Sequence, residues 1–386
     1  MQFKEVVGQE SVKQKLIGMV DSGRIPHAMM FMGPEGNGSL PMALAFAQYV
    51  QCENKQGNDS CGQCSSCTKN QKYIHPDVHF TFPVITKKSG EAPISQDYIA
   101  EWRSALNNNP YMNVNDWLQS IEAENKQGNI TVRECHEIIK GVSMKTYESA
   151  YKIHIVWLAE FLKEAGNTLL KVIEEPPVNT IFILIVENVE MLLNTIVSRT
   201  QLIKINAIED VDIVNVLLSR FEMDEGSAKR IARISEGNYN AALNYTTGDE
   251  NANDKLLHRW LICCFNLKQK NNSTNVSQLL DWIEDFAKMG RENQKIFLKY
   301  ALFFLRECAL ISNLEKSEKL DGDELKFAAG LSAKLNVEQL GAISAVISQL
   351  YYFVERNGNP KILLMSNSFK IASAFKGEDI TTVESV

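Results

Sequence analysis

Ala28-Met-Met-Phe-Met32, followed by Gly33-Pro-Glu-Gly36-Asn-Gly38-Ser39-Leu40, is the stretch whose reading decides the fold. The apolar run makes a buried strand, the glycines make a turn, and Ala43 to Val50 continue as a helix. Strand, Gly-rich turn and helix form a phosphate-binding loop, in which backbone N–H groups and a helix N-terminus surround phosphates. A working loop reads G-x-x-x-x-G-K-[ST], with Lys on the β- and γ-phosphates and the hydroxyl on magnesium. Here Gly33 and Gly38 keep the spacing, with Gly36 between them. Ser39 stands in the place of Lys, and Leu40 in the place of Ser or Thr. No productive ATP binding is expected at Gly33, Gly36, Gly38 and Ser39.

A nucleoside triphosphatase of this plan also needs carboxylates at the end of a neighbouring strand, to hold magnesium and orient water. The matching strand is Ile153 to Val156, and it runs into Trp157 and Leu158, which can do neither. Glu160 follows on a turn or helix and reads as a solvated carboxylate. Loss of the phosphate cation and loss of the metal acids are independent, so the loss is systematic. A divergent ATPase using Lys163 or Glu160 is the competing enzyme reading.

Outward from the loop, Gln9 to Ser22 has helical spacing of Val12, Leu16, Ile17 and Val20. Downstream, Asp77 to Val84, Ile153 to Leu158, Thr180 to Val186 and Leu202 to Ile205 read as strands. Helices alternate with them. One begins at the capping box Thr131-Val-Arg-Glu134, and Asn167 to Pro177 is another, stopped by its double proline. The alternation predicts a doubly wound parallel α/β domain over residues 1–206. Residues 86–129 are polar, with apolar islands at Ile99–Trp102–Leu106 and Trp117–Ile121; so long a connection usually has short helices of its own or is partly mobile, and it reads as a surface insertion.

After Asp210 the strand signals stop. Val211 to Arg220, Glu225 to Glu236 and Tyr239 to Tyr245 predict a three-helix lid over residues 207–248, and Thr246 to Asp254 reads as a polar linker. The remainder, 249–386, is helical throughout and reads as a packing and oligomerisation domain. Leu298, Ala301, Leu302, Leu305 and Ala309 make one apolar face, and Ile343, Ile347, Leu350 and Val354 another. Asn357-Gly358 is read as the end of its longest helix.

Cys52, Cys61, Cys64 and Cys67 are spaced C-x8-C-x2-C-x2-C among small and polar residues. Thiolates at this spacing can close on one tetrahedral zinc, which leaves no open position for catalysis. A structural zinc module over residues 52–67 is therefore expected. The alternatives are a redox dithiol and unliganded surface thiols. His75 and His79 lie nearby but precede a proline and sit within a strand, so neither is favoured as a ligand.

The formal net charge is −7. It argues against this chain gripping a nucleic-acid backbone by itself, and so against a zinc-dependent DNA-binding module, as does the scarcity of cations (Lys55, Lys69, Lys72) around the cysteines. No apolar stretch approaches a membrane span and no secretory leader is visible. A cytoplasmic protein with reduced thiols and no membrane contact is the expectation.

These features converge on a resemblance. Val6–Glu10 (VVGQE), Arg24–Gly36 (RIPHAMMFMGPEG), the four cysteines, His75–Asp77 (HPD), Asn167–Pro177 (NTLLKVIEEPP), Ser198–Thr200 (SRT) and Asn359–Leu364 (NPKILL) resemble the AAA+ clamp-loader subunits of bacterial DNA polymerase III. Residues 86–129 fall outside it. The family has ATP-hydrolysing subunits and a silent branch, delta-prime, and Ser39, Leu40, Trp157 and Leu158 depart toward the silent one. So does Asn240, in Gly237–Leu243, which replaces a lid arginine. The resemblance implies that Arg199, after Ser198 in a motif with Thr200 in place of Cys, is an arginine finger acting in trans on a neighbour's ATP. It also implies a hetero-oligomeric ring with gamma/tau-like and delta-like subunits, loading a sliding clamp onto primed DNA.

Overall fold

Strand β1 (Ala28–Met32) has a hydrogen-bonded parallel neighbour on each side. With β2 (Val78–Thr81), β3 (Lys152–Val156), β4 (Thr180–Val186) and β5 (Gln201–Lys204) it forms a five-stranded parallel sheet of order β2-β3-β4-β1-β5. Its β4 register runs from Ala28 opposite Phe182 to Met32 opposite Val186. The computed structural model describes residues 1–87, 92–123, 126–246, 250–267, 272–314, 320, 322–356 and 358–378.

Alternation along the strands divides the apolar side chains between two cores. Met29, Phe31, Ile153, Ile155 and Ile183 belong to one, and Met30, Val156, Phe182, Leu184 and Val186 to the other. Helices cover both faces, which is why the strands read as continuous apolar runs. In chain order they are α1 (Glu10–Asp21), α2 (Ser39–Gln51), α3 (Ser65–Gln71), α4 (Ile99–Asn108), α5 (Val114–Ser120), α6 (Val132–Ser143), α7 (Leu170–Glu174) and α8 (Asn194–Val197). The expected doubly wound α/β arrangement is present.

Four local expectations need correction. Strand β2 is shorter than Asp77 to Val84, and Val84 instead bridges Asn129. The single helix expected over Asn167 to Pro177 is a 3-10 segment, Ala159–Leu169, leading into the five-residue α7. That segment kinks at Lys163, whose φ is 47°. The capping box at Thr131 is only half made: its hydroxyl accepts from Glu134 N, but the Glu134 carboxylate is drawn away to Thr81 and Ser95.

The fourth is the largest. The described part of residues 86–129 forms the short helices such a connection can carry, but it is buried along its apolar side rather than a surface insertion. Ile99, Trp102 and Leu106 share one face of α4, so its packing is apolar despite the polar residues between them. Trp102 and Trp117 are fully buried. Trp102 stacks on Phe82 with ring centroids 4.1 Å apart and meets Trp117 edge-on at 5.2 Å. It also lies 5.1 Å from Trp157. The Trp117 indole donates to the Pro83 carbonyl at 2.7 Å.

The chain divides into two compact units, Met1–Leu243 and Asn244–Val386. Helices α9 (Asp210–Phe221), α10 (Glu225–Ser235) and α11 (Tyr239–Thr246) follow the sheet. Helix α10 ends where Glu236 and Gly237 take left-handed φ of 49° and 80°.

The second unit contains α12 (Glu250–Asn266), α13 (Asn272–Lys288), α14 (Arg291–Leu314), α15 (Gly322–Ser332), α16 (Val337–Glu355) and α17 (Pro360–Ala374). The polar linker Thr246 to Asp254 lies partly outside the described residues, and from Glu250 it is already helix. Leu298, Ala301 and Leu305 of α14 and Ile343, Ile347, Leu350 and Val354 of α16 are buried within the unit. Among the described residues the longest helix is α14, with 24 residues, rather than the 19-residue α16. Asn357, expected to end that helix, lies outside the described residues, while Gly358 N closes it on Phe353 O at 2.8 Å.

Candidate functional site

The Gly-rich loop leads from β1 into α2 as its sequence predicts, and its glycines are required by space as well as by φ. A Cβ on Gly33 would lie 1.9 Å from Ile205 O, and one on Gly36 (φ 71°) 1.8 Å from Asn238 Oδ1. The donors that would face phosphates are depleted. Asn37 is buried, and its Oδ1 accepts from Ser39 N at 2.9 Å and from Ser39 Oγ at 2.8 Å. Its Nδ2 donates to Ile205 O at 2.7 Å. Two residues into α2, Pro41 has no N–H to offer. Thus the first helical N–H is capped from within, the third is missing, and Leu40 is buried where a metal-binding hydroxyl would stand.

Three elements meet over this loop. Glu35 Oε1 accepts from Asn113 Nδ2 and Asn238 Nδ2, both at 3.1 Å. Tyr239 N donates to Gly36 O at 3.0 Å. Asn240, in the expected position of the lid arginine, is buried, accepting from Asn109 Nδ2 and donating to Asp116 Oδ2, each at 2.6 Å. Sequence reading missed Asn37, Pro41, Tyr111 and Asn113. Asn37 stands inside the quoted motif and Pro41 directly after it, so both were legible there; Tyr111 and Asn113 lie far away in sequence and gave no local signal.

At the end of β3, Trp157 and Leu158 are buried, with Leu158 in the left-handed region at φ 55°. Glu160 is not the solvated carboxylate expected. It is buried, its Oε1 accepts from Glu187 N at 3.1 Å and Asn188 N at 3.2 Å, and its Oε2 has no partner. Burial pushes its carboxyl above the usual range, against the backbone donors. The group ties the end of β4 to the turn after β3.

The four cysteines do come together. Their sulfurs lie within 4.8 Å of one another, and Cys61 Sγ is 3.8 Å from Cys67 Sγ. Tetrahedral zinc with bonds of about 2.3 Å needs sulfur–sulfur edges of about 3.8 Å. Backbone N–H groups of Cys61, Cys64 and Cys67 point at the sulfurs of Cys52, Cys61 and Cys64, at 3.2, 3.3 and 3.4 Å. The N–H of Gln63, then that of Cys64, bring the Cys61 thiol down to about 6, whereas burial raises Cys52 and Cys67. Donor set and spacing fit a divalent, thiophilic ion. His75 and His79 stand outside the cluster. His75 is buried with Nδ1 accepting from Asp77 N at 3.1 Å, and the Asp77 carboxylate takes the N–H groups of Tyr147, Glu148 and Ser149.

Arg199 follows α8 at the edge of the sheet domain, with its side chain 32% exposed. Its Nε donates to Glu174 Oε2 at 2.7 Å and its Nη1 to Thr195 O at 3.1 Å. Ser198, exposed beside it, donates to Thr195 O at 3.2 Å. The guanidinium is held at the surface by groups that leave part of its fork open.

A family model described as DNA polymerase III, delta subunit, matches residues 8–209, more than half of the chain. The chain belongs to this family. The match covers the Gly-rich loop, the cysteine cluster and Arg199, and ends just past β5. The DNA polymerase III tau subunit of Bacillus subtilis is 26% identical over 324 residues, 80% of this chain and 50% of that protein. The DNA polymerase III delta-prime subunit of Escherichia coli is 26% identical over 239 residues, 61% of this chain and 59% of that protein. The chain thus spans between half and three-fifths of these relatives. A DNA polymerase III gamma subunit-related protein from Thermotoga maritima superposes with a TM-score of 0.40 and 15% identity, over 94% of this chain and 99% of that one. Among the described residues of this DNA polymerase III family member, no helix is long and apolar enough to cross a membrane.

Proposed function

We propose that this chain is a delta-prime-like, non-hydrolysing stator of the bacterial DNA polymerase III clamp loader. In this role it stands in a hetero-oligomeric ring beside gamma/tau-like and delta-like subunits and presents Arg199 to a neighbour's ATP. The ring opens the sliding clamp and sets it on primed DNA, and AAA+ architecture gives the sheet domain and lid their arrangement. The observation that carries the reading is the Gly-rich loop. Its helical donors are capped or absent, Trp157 and Leu158 fill the acid positions, and Asn240 is held where a lid arginine would act, while Arg199 stays at the surface. A guanidinium fork suits γ-phosphate oxygens, and such a residue supplied in trans is worth about 10³–10⁵ in rate.

Cys52, Cys61, Cys64 and Cys67 would hold one structural zinc, which ties the turn before α3 to the end of α2. A DNA-contacting role for this module is disfavoured. Lys69 pairs with Glu148 and Lys55 donates to Cys52 O at 3.3 Å, so these cations are committed within the chain. The divergent-ATPase alternative is opposed by Glu160, which is buried and whose Oε1 is held by two backbone donors. The test is co-purification with gamma/tau-like and delta-like subunits, followed by ATP turnover of the isolated chain and of the complex. Turnover only in the complex supports the reading; turnover by the pure chain refutes it.

A further inference from the structure

We propose that the segment Asn109–Asp116 is an internal ligand of the Gly-rich loop, occupying the place a nucleotide would take and fastening the loop to the helices after the sheet. This rests on the reading that the chain takes up no nucleotide of its own, and it supplies the physical reason.

The segment brings an aromatic ring to the N-terminus of α2. A Cβ on Gly38 would lie 3.2 Å from Tyr111 Cε1, so the ring is packed directly against the loop. Tyr111 is buried, its hydroxyl accepts from Val7 N at 2.8 Å, and its ring meets Tyr239 at 4.7 Å in a T-shaped contact. A planar ring with an acceptor at a buried backbone N–H is what a bound base would otherwise provide. The polar contacts around it bridge all three elements. Asn113 and Asn238 share Glu35 Oε1, and Asn240 is bonded at both ends of its carboxamide, by Asn109 and Asp116.

A bound nucleotide comes and goes; this occupant does not. Helix α4 precedes the segment and α5 begins within it, and their Trp102 and Trp117 are buried against Phe82, with Trp102 also packed against Trp157. The aromatic residue at the vacated acid position thereby anchors the segment that fills the vacated nucleotide position. Tethering makes its local concentration permanent, so the loop and the start of α11 stay joined in every state of the chain.

The test is backbone hydrogen exchange on the full chain, read at Val7 and Tyr239, with ADP as a probe of the pocket. Tyr111→Phe keeps the ring and removes the hydroxyl, so Val7 N–H should exchange about fivefold faster or more, the value of one buried hydrogen bond. A chain carrying both Asn113→Ala and Asp116→Ala should speed Tyr239 exchange by about tenfold or more, since two bridges are lost. Amides of β4 serve as the reference, and should be unchanged in both variants, so that general unfolding is recognised. Wild type should bind no ADP at millimolar concentration. Unchanged exchange at Val7 in the first variant and at Tyr239 in the second would overturn the proposal, as would ADP binding by wild type with Val7 still protected. Those outcomes leave the stator reading standing, because it is tested by ATP turnover of the isolated chain and of the complex, not by what packs against the loop.

Discussion

Replacing Trp102 by alanine tests whether residues 86–129 belong to the core. Trp102 is fully buried, stacked on Phe82 at 4.1 Å, edge-on to Trp117 at 5.2 Å and 5.1 Å from Trp157. Truncating such a side chain costs about 3–5 kcal/mol in lost transfer and residual cavity. Its indole Nε1 is buried without a partner. Removing that donor returns about 1 kcal/mol or somewhat more, so the net loss should be about 3 kcal/mol. Trp102→Phe keeps most of the stacking and also removes the unpaired donor, and should cost only about 1 kcal/mol. The assay is urea unfolding of the full chain, followed by near-ultraviolet circular dichroism at fixed pH. Substitution in a true surface insertion would fall within about 0.5 kcal/mol of wild type. A Trp102→Ala loss that small, or Trp102→Phe costing as much as Trp102→Ala, would refute the reasoning.

Metal analysis should find one zinc per chain, and Cys64→Ser should lose it and expose residues 52–71 to protease; a metal-free preparation that keeps this region protected would contradict the site. Stability should depend on His154, whose Nε2 is 3.0 Å from a Thr81 hydroxyl that donates to Glu134, so that His154 donates in turn and its Nδ1 is left bare. Burial, then the like charges of His79 and Lys152, takes its pKa down to about 3. The unfolded chain therefore binds the extra proton between its ordinary pKa, about 6.5, and that value. The contribution is complete above the upper limit and lost as pH falls, with a slope of about 1.4 kcal/mol per pH unit. His154→Leu should remove that slope, measured as urea midpoints from pH 6.5 down to 4; an unchanged slope would contradict it. Glu134, raised by burial, acts in the opposite sense in both proteins, so the difference isolates His154.

The sheet was legible because its strands are buried on both faces. Runs such as Thr180–Val186 have no polar residue at alternate positions, and helix-period segments stand between them. The cysteine cluster was legible because its ligands are close in sequence and of one chemical type. Residues 86–129 misled because composition averages over a helix, while packing follows one face. Ile99, Trp102 and Leu106 are three apolar residues in a polar stretch, yet they occupy a single side of α4. Glu160 misled for a related reason. Its burial is set by Glu187 and Asn188 of the next strand's end, which no local pattern announces. The losses at Ser39 and Leu40 could be read directly. What packs against the loop could not, since Tyr111 and Asn113 reach it, and Asp116 reaches Asn240, from a separate part of the chain.

Arg199 bears the central claim, and its surface pairing with Glu174 contributes only about 0.2–1 kcal/mol to folding. Single-turnover ATP hydrolysis by the reconstituted complex, with wild-type chain or with Arg199→Ala, therefore measures function with little disturbance of the fold. The account predicts that the assembly forms normally and that hydrolysis at one site slows by about 10³-fold or more. An intact complex hydrolysing ATP at the wild-type rate at every site would contradict it.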